Sequence, residues 1–184
     1  SFPGWSDSNF QVVGAMFKTI ATLSAYESFE FRHAASALDV LGEKLADFKL
    51  RVPASDSLMT IAEALGPRAV IARIEEKAGA HKNPKVVAEA LNWTGSAVLA
   101  FGTECLDTKS LISWARQALE TPNPVIKGSG AKLIGALHAG IGPAIKDSLD
   151  GLKESQLKSL EAEFARNPFE GGMKPSRTVR TRAV

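Results

Sequence analysis

Lysine and arginine recur beside Asn or Asp at regular intervals along the chain, and these are the residues best suited to chemistry. Three segments combine an Asn or Asp with one or two cations, and a fourth segment at Asn9 has the same start without a cation. Amide and cationic side chains of this kind hold carboxylates on another molecule rather than catalyse a reaction. The candidate binding residues are Asn9, Lys49, Arg51, Lys82, Asn83, Lys85, Asn123 and Lys127.

Each Asn or Asp stands where a helix is expected to begin. Asn83 and Asn123 are both followed by proline, and an N-cap followed by proline has a purely structural explanation. Lysine and arginine have no such explanation, because a cation near a helix N-terminus opposes the macrodipole by roughly a few tenths of a kcal/mol. Their repeated placement against this preference favours a binding role, while the caps themselves are also compatible with a structural role alone.

No group of residues indicates catalysis, a metal site or a cofactor. Cys105 has no histidine near it in the sequence, and the three histidines are widely separated. Residues 128–130 (GSG) lie inside a helical pattern, where they favour close helix packing rather than phosphate binding. We expect His138, on an apolar face, to be either a core histidine with its hydrogen bonds satisfied or one that packs against a partner, and we expect the chain not to be an enzyme.

Composition limits the class of protein further. The 184 residues are 45% hydrophobic and 23% charged, which fits one globular domain with its own core. A net charge of +2 argues against a general nucleic-acid binder, and no apolar stretch is long enough to cross a membrane. A single cysteine cannot form an internal disulfide and predicts an intracellular, reducing compartment.

Helical periodicity extends over almost the whole chain, and no segment alternates as a strand does. The first apolar stripe consists of Val13, Met16, Phe17, Ile20 and Leu23. Further stripes predict that two tryptophans and five aliphatic residues lie in the core: Trp93, Trp114, Leu91, Val98, Leu111, Leu133 and Leu137. We therefore expect an all-α domain.

The helix starts at Asn9, Asp47, Asn83 and Asn123 are about 36–40 residues apart, which is typical of a HEAT-repeat α-solenoid. We predict helices in pairs, with the helix that begins at Asn83 paired to one that begins at Asp107. Pro53 is tolerated only in the first turn of a helix, so the helix that contains it is placed at about residues 52–65. Turns at residues 7–10, 47–51, 81–85 and 123–127 are predicted to line one edge.

A last amphipathic helix is predicted at residues 152–164, with Leu157 and Leu160 inward. Its charged residues are predicted to face outward: Lys153, Glu154, Lys158, Glu161 and Glu163. The repeat array is placed at residues 1–170. Residues 171–184 contain Lys174, Arg177, Arg180 and Arg182 with no acid, and they predict a basic, flexible linker or tail.

Several strings, in order, resemble the TOG domains of the chTOG and Minispindles group of microtubule polymerases. The resemblance covers residues 2–171 and is strongest to the third TOG domain of the plant or green-algal microtubule-organisation member. The strings are residues 2–5 (FPGW), 7–12 (DSNFQV), 42–49 (GEKLADFK), 81–86 (HKNPKV), 89–93 (EALNW), 101–102 (FG), 123–124 (NP), 133–138 (LIGALH) and 163–171 (EFARNPFEG).

This resemblance implies a paddle of HEAT repeats whose intra-repeat turns bind αβ-tubulin, a strongly acidic protein, at microtubules and the spindle in the cytoplasm. Sister TOG domains of the same chain are the second implied partner; nucleic acid and membrane are not partners. The chain is expected to match repeats two to six, without the first repeat, whose exposed aromatic touches β-tubulin in relatives. An alternative is a structural spacer, or a scaffold that docks another TOG domain or an adaptor.

Overall fold

The structure, a computed structural model, describes Trp5 and residues 7–180. Within them it contains eight α-helices, one 3-10 helix and no strand, which confirms the all-α prediction. The α-helices are α1 (Phe10–Leu23), α2 (Phe31–Lys44), α3 (Arg51–Leu65), α4 (Pro67–Gly79), α5 (Pro84–Phe101), α6 (Thr108–Glu120), α7 (Pro124–Ile141) and α8 (Glu154–Arg166). The 3-10 helix spans Gly142–Leu149, between α7 and α8.

The helices form two compact units. The first unit, Ser1–His81 with Thr178–Val184, contains α1 to α4, and α3 packs against the other three helices. Its core includes Phe17, Leu38 and Leu58, each completely buried. A bidentate ion pair joins α2 to α4, with Arg73 Nε 2.7 Å from Asp39 Oδ1 and Arg73 Nη2 2.8 Å from Asp39 Oδ2. This hydrogen bonding to Asp39 raises the pKa of the Arg73 guanidinium.

The second unit, Lys82–Arg177, is built around α7, which packs against α5, α6, α8 and the 3-10 helix. Every core residue predicted in this unit is buried: Leu91, Trp93, Val98, Leu111, Trp114, Leu133 and Leu137. His138 packs as predicted, because its ring stacks on Phe164 at 4.3 Å and its Nδ1 lies 3.1 Å from the carbonyl oxygen of Asn167. That carbonyl can only accept, so Nδ1 carries the proton.

The helix boundaries follow the caps that the sequence contains. Proline occupies the first position of α4, α5 and α7, where its missing N–H is not needed, and a glycine with positive φ follows α3, α5 and α7. The predicted pairing of helices in the second unit is wrong. The helix that begins after Asp107 packs chiefly against α7 rather than α5, because Gly130 of α7 allows α6 to approach closely.

Three predictions of side-chain direction are also wrong. Leu23 and Leu157 were expected inward, but their side chains are 46% and 42% exposed. Leu157 faces outward because the neighbouring Gln156 turns inward, where its Nε2 donates to the Leu119 carbonyl oxygen at the end of α6 (2.8 Å). Leu23 is the last residue of α1, where the chain turns away from the helix.

Glu163, expected outward, is buried against α7. A Cβ built on Gly135 would lie only 2.8 Å from the Glu163 Cβ, so the glycine provides the space for the glutamate stem. Its carboxylate forms an ion pair with Arg166, which satisfies the charge at the rim of the interface. The missing side chain at Gly135 therefore allows this face of α8 to pack closely against α7.

Residues 171–180 contain no helix or strand but are hydrogen-bonded to the body of the chain. The Arg177 N–H donates to the Ala100 carbonyl oxygen in the last turn of α5 (2.9 Å). The Arg180 N–H donates to the Glu63 carbonyl oxygen in the last turn of α3 (2.8 Å). Carbonyls at helix C-termini lack a partner within their own helix, so these two bonds satisfy groups that the helices leave free. The domain boundary at residue 170 stays a prediction, and Arg182 and residues 2–4 lie outside the described residues.

Candidate functional site

Asn9 and Asp47 each fix a turn in the first unit by accepting backbone hydrogen bonds. The Asn9 side chain is the N-cap of α1 and accepts from the Gln11 N–H at 2.9 Å. The Asp47 carboxylate accepts from the N–H groups of Lys49 (2.8 Å) and Leu50 (3.1 Å). Asp47 is not the N-cap of its helix, since α3 begins at Arg51 and Leu50 occupies the cap position. The carboxylate closes a turn before the helix, and this turn buries Leu50 while Lys49 and Arg51 remain exposed.

The two turns of the first unit meet. The Lys49 ammonium lies over the Phe10 ring, 4.7 Å from its centroid, in a cation–π contact. A Cβ built on Gly14 would lie 3.8 Å from the Leu50 side chain, so the start of α1 runs beside the start of α3. The structure therefore brings the predicted turns at residues 7–10 and 47–51 together.

In the second unit, Asn83 and Asn123 are the N-caps of α5 and α7. Asn83 Oδ1 accepts from the Lys85 N–H at 3.0 Å. Asn123 Oδ1 accepts from the N–H groups of Val125 (2.9 Å) and Ile126 (3.3 Å). These bonds fix the first turn of each helix, which in turn fixes where Lys85 and Lys127 leave the backbone.

The two Asn caps of the second unit lie at the same end of that unit. Gly95 of α5 faces Ala136 of α7, and further towards the C-termini Gly140 of α7 faces Thr103, just beyond α5. Since the contacts advance in the same direction along both helices, α5 and α7 run parallel. The turns at residues 82–85 and 123–127 therefore share one end of the unit. That all four turns form one row stays a prediction.

The lysines of the second-unit turns are exposed, and none of them forms an ion pair with any other described residue: Lys82, Lys85 and Lys127. The other cations of this site, Lys49 and Arg51, are exposed and likewise form no ion pair within residues 7–180. Elsewhere the chain does pair its charges, as in the Arg73–Asp39 contact. The cations of the turns are thus available to a carboxylate on another molecule.

Phe48 is a functional candidate that the sequence reasoning missed. Its side chain is 94% exposed at the tip of the turn between α2 and α3, next to Lys49. The one available signal was its position, because Phe48 lies in a turn rather than on an apolar helix stripe.

The described part of the chain contains no cluster of three metal-ligating side chains. None of the helices in residues 7–180 has the length and apolarity that a bilayer crossing requires.

Known proteins are similar to this chain in both sequence and fold. The family model of the XMAP215/Dis1/CLASP TOG domain matches residues 7–164. Protein MOR1 of Arabidopsis thaliana is 37% identical over 182 residues, which cover 97% of this chain and 9% of MOR1. This chain therefore spans about 9% of the length of that relative.

Two solved structures resemble the fold at different levels of sequence identity. Drosophila melanogaster Mini spindles TOG3 superimposes with a TM-score of 0.89 at 29% identity, covering 97% of this chain and 78% of that chain. A structure of tubulin recruitment and assembly by microtubule polymerases with TOG domain arrays gives a TM-score of 0.70 at 17% identity, covering 95% of this chain and 38% of that chain. The second likeness concerns the fold alone. Because the family model matches most of its length, this chain belongs to the XMAP215/Dis1/CLASP TOG domain family.

Proposed function

We propose that this chain is a tubulin-binding module that captures αβ-tubulin through its cationic turns. The turns at the N-terminal ends of α1, α3, α5 and α7 supply the contacts, and the cations bind carboxylates on the acidic partner. The proposed contact residues are Asn9, Lys49, Arg51, Lys82, Asn83, Lys85, Asn123 and Lys127.

One observation carries the proposal: the turns hold exposed, unpaired cations on backbones that are already fixed. Asn83 and Asn123 accept the first N–H groups of their helices, so Lys85 and Lys127 are presented from rigid positions. Binding then orders few backbone groups, which reduces the entropic cost of association. Cations at helix N-termini mildly destabilise a helix, so their recurrence at α3, α5 and α7 favours a role in binding.

One solved structure of the same fold concerns the same partner. Members of this family include Protein MOR1 and Drosophila Mini spindles, and a structure of this fold concerns tubulin recruitment by microtubule polymerases. We propose that the chain acts with sister TOG domains to promote microtubule growth and organisation, at microtubules and the spindle in the cytoplasm. Joined modules raise the local concentration of bound tubulin at the polymer end, which is an effect of multivalency rather than of catalysis.

Size-exclusion chromatography of the chain with free αβ-tubulin tests the proposal directly. Co-elution at tens of micromolar is expected for the unchanged chain. The variant Lys82→Ala with Lys127→Ala should bind about fivefold or more weakly, and the difference should shrink at high salt because screening weakens the removed attraction.

A charge-matched control separates a local effect of the turns from the loss of net charge. Lys109 and Lys132 are exposed cations of the same unit, in α6 and in the middle of α7. The variant Lys109→Ala with Lys132→Ala removes the same charge away from the turns and should bind tubulin as the unchanged chain does. Equal losses in both variants would show that only net charge matters. No co-elution of the unchanged chain would favour the spacer or docking scaffold instead.

A further inference from the structure

The side chain of Phe48 has almost no contact with the rest of the chain. It is 94% exposed, whereas the next most exposed large apolar side chain of the described residues, Tyr26, is 63% exposed. Full burial of a phenylalanine stabilises a fold by about 1.5–3 kcal/mol, and none of this is obtained at Phe48. The side chain is therefore free to bury its surface against a partner.

The turn around Phe48 is fixed although its tip is exposed. Asp47, which precedes it, accepts the N–H groups of Lys49 and Leu50. Leu50 is only 4% exposed and anchors the other side of the turn in the core. Phe48 thus projects from a backbone held at both sides, so its insertion into a pocket orders little more than its own two side-chain torsions.

Two cations and one acid lie within three residues of Phe48. Lys49 is held over the Phe10 ring, and Arg51 at the start of α3 is exposed. The neighbouring acid, Asp47, uses an oxygen to accept two backbone N–H groups. An exposed aromatic side chain beside two cations matches an interface whose core is aromatic and whose rim is polar.

We propose that Phe48 is an aromatic anchor that inserts into an apolar pocket on an acidic protein surface, with Lys49 and Arg51 binding carboxylates at the rim of that pocket. The proposal rests on the proposed function, so the partner is αβ-tubulin. It adds to the cationic turns an apolar contact, which salt does not screen. Phe48 and the cations therefore predict different responses to ionic strength.

A direct binding titration of αβ-tubulin at low and high salt tests this anchor. We expect Phe48→Ala to weaken binding about tenfold or more at both salt concentrations. Lys49→Ala should weaken binding less, and its effect should decrease at high salt. Phe48→Trp should retain binding, because an indole fills an aromatic pocket and stacks similarly.

Tyr26→Ala is the matched control, since it removes another exposed aromatic side chain of the same unit outside the turns. It should change tubulin affinity by less than about twofold. All variants should melt within about two degrees of the unchanged chain, because exposed side chains contribute little to folding. A large drop in melting temperature for Phe48→Ala would make Phe48 part of the fold and overturn the anchor.

The outcomes distinguish the two proposals. If the Phe48→Ala variant binds tubulin as tightly as the unchanged chain does, the anchor is overturned but the proposed function stands. A loss equal to that of Tyr26→Ala overturns the anchor in the same way. If the unchanged chain does not bind tubulin at either salt concentration, the proposed function fails and the anchor fails with it.

Discussion

Two glycines of α7, Gly128 and Gly130, allow the contribution of close helix packing to be measured. A Cβ built on Gly130 would lie 2.8 Å from the Ala118 Cβ and 3.0 Å from the Ala115 carbonyl oxygen, both in α6. A Cβ on Gly128 would meet nothing within 4 Å. Both glycines lie in the same helix with helical backbone, so an alanine gains the same helix propensity at either position.

The expected effects have opposite signs. Gly128→Ala should stabilise the chain by about 0.5–1 kcal/mol, because alanine loses less backbone entropy than glycine when a helix forms. Gly130→Ala gains the same term but forces α6 and α7 apart, and overpacking of this kind costs about 1–3 kcal/mol. The difference between the two variants isolates that packing cost. It corresponds to about 2–4 °C in melting temperature for each kcal/mol in a domain of this size.

Thermal and urea unfolding of both variants give the comparison, with the tubulin-binding titration as a check that the turn at residues 123–127 is intact. Gly128→Ala should melt above the unchanged chain, and Gly130→Ala should melt below Gly128→Ala. Equal melting temperatures for the two variants would refute the close approach of α6 to α7. They would also remove the reason why α6 packs against α7 rather than α5, which is the close approach at Gly130.

Three further predictions concern the packing and the caps of the same chain. Leu133→Ala should cost about 2–5 kcal/mol of unfolding free energy because Leu133 is completely buried, whereas Val125→Ala, at a side chain 60% exposed, should change little in the same urea series. Asn123→Ala should cost about 0.5–2 kcal/mol by urea unfolding, since two N–H groups lose their acceptor; an unchanged midpoint would contradict the cap. Removal of residues 171–184 should lower the melting temperature by a few degrees, because each lost backbone hydrogen bond contributes about 0.5–1.5 kcal/mol; a freely moving tail would leave it unchanged.

The sequence predicts the helices well because their ends contain local signals. Asn83 and Asn123 were predicted as caps from their own side chains and the proline that follows, and α5 and α7 begin at those prolines. The predicted core of α5 and α7 is also confirmed, since both helices carry wide apolar stripes and are buried on most sides. Where the signal for a helix end lies within one helical turn, the sequence alone is sufficient to predict that end.

Predictions that depend on a neighbouring helix were less successful. Glu163 was expected in solvent from its charge, yet the space that accepts it is created by Gly135 in α7. The same applies to Leu157, whose direction follows from the hydrogen bond between Gln156 and Leu119. Periodicity identifies an apolar stripe but does not identify the surface that the stripe meets.

The turn at residues 47–51 shows a further limit. Asp47 resembles the Asn caps in its sequence context, but its carboxylate closes a turn that precedes the helix. The reason is Leu50, which must reach the core before α3 begins and so requires an additional turn. Phe48 lies in this additional turn and is exposed there. The exposure that the sequence did not predict therefore has the same tertiary cause.

Tubulin capture by these turns requires several contacts, because each one is weak. An exposed ion pair contributes about 0.2–1 kcal/mol, so no single lysine of the turns can supply a micromolar affinity, which corresponds to about 8 kcal/mol. Five cations at this strength supply only part of that free energy, and salt reduces their share further. The remainder must come from apolar burial or from joined modules. An affinity that persists at high salt in a single module would therefore indicate the Phe48 contact, whereas persistence only in linked modules would indicate multivalency.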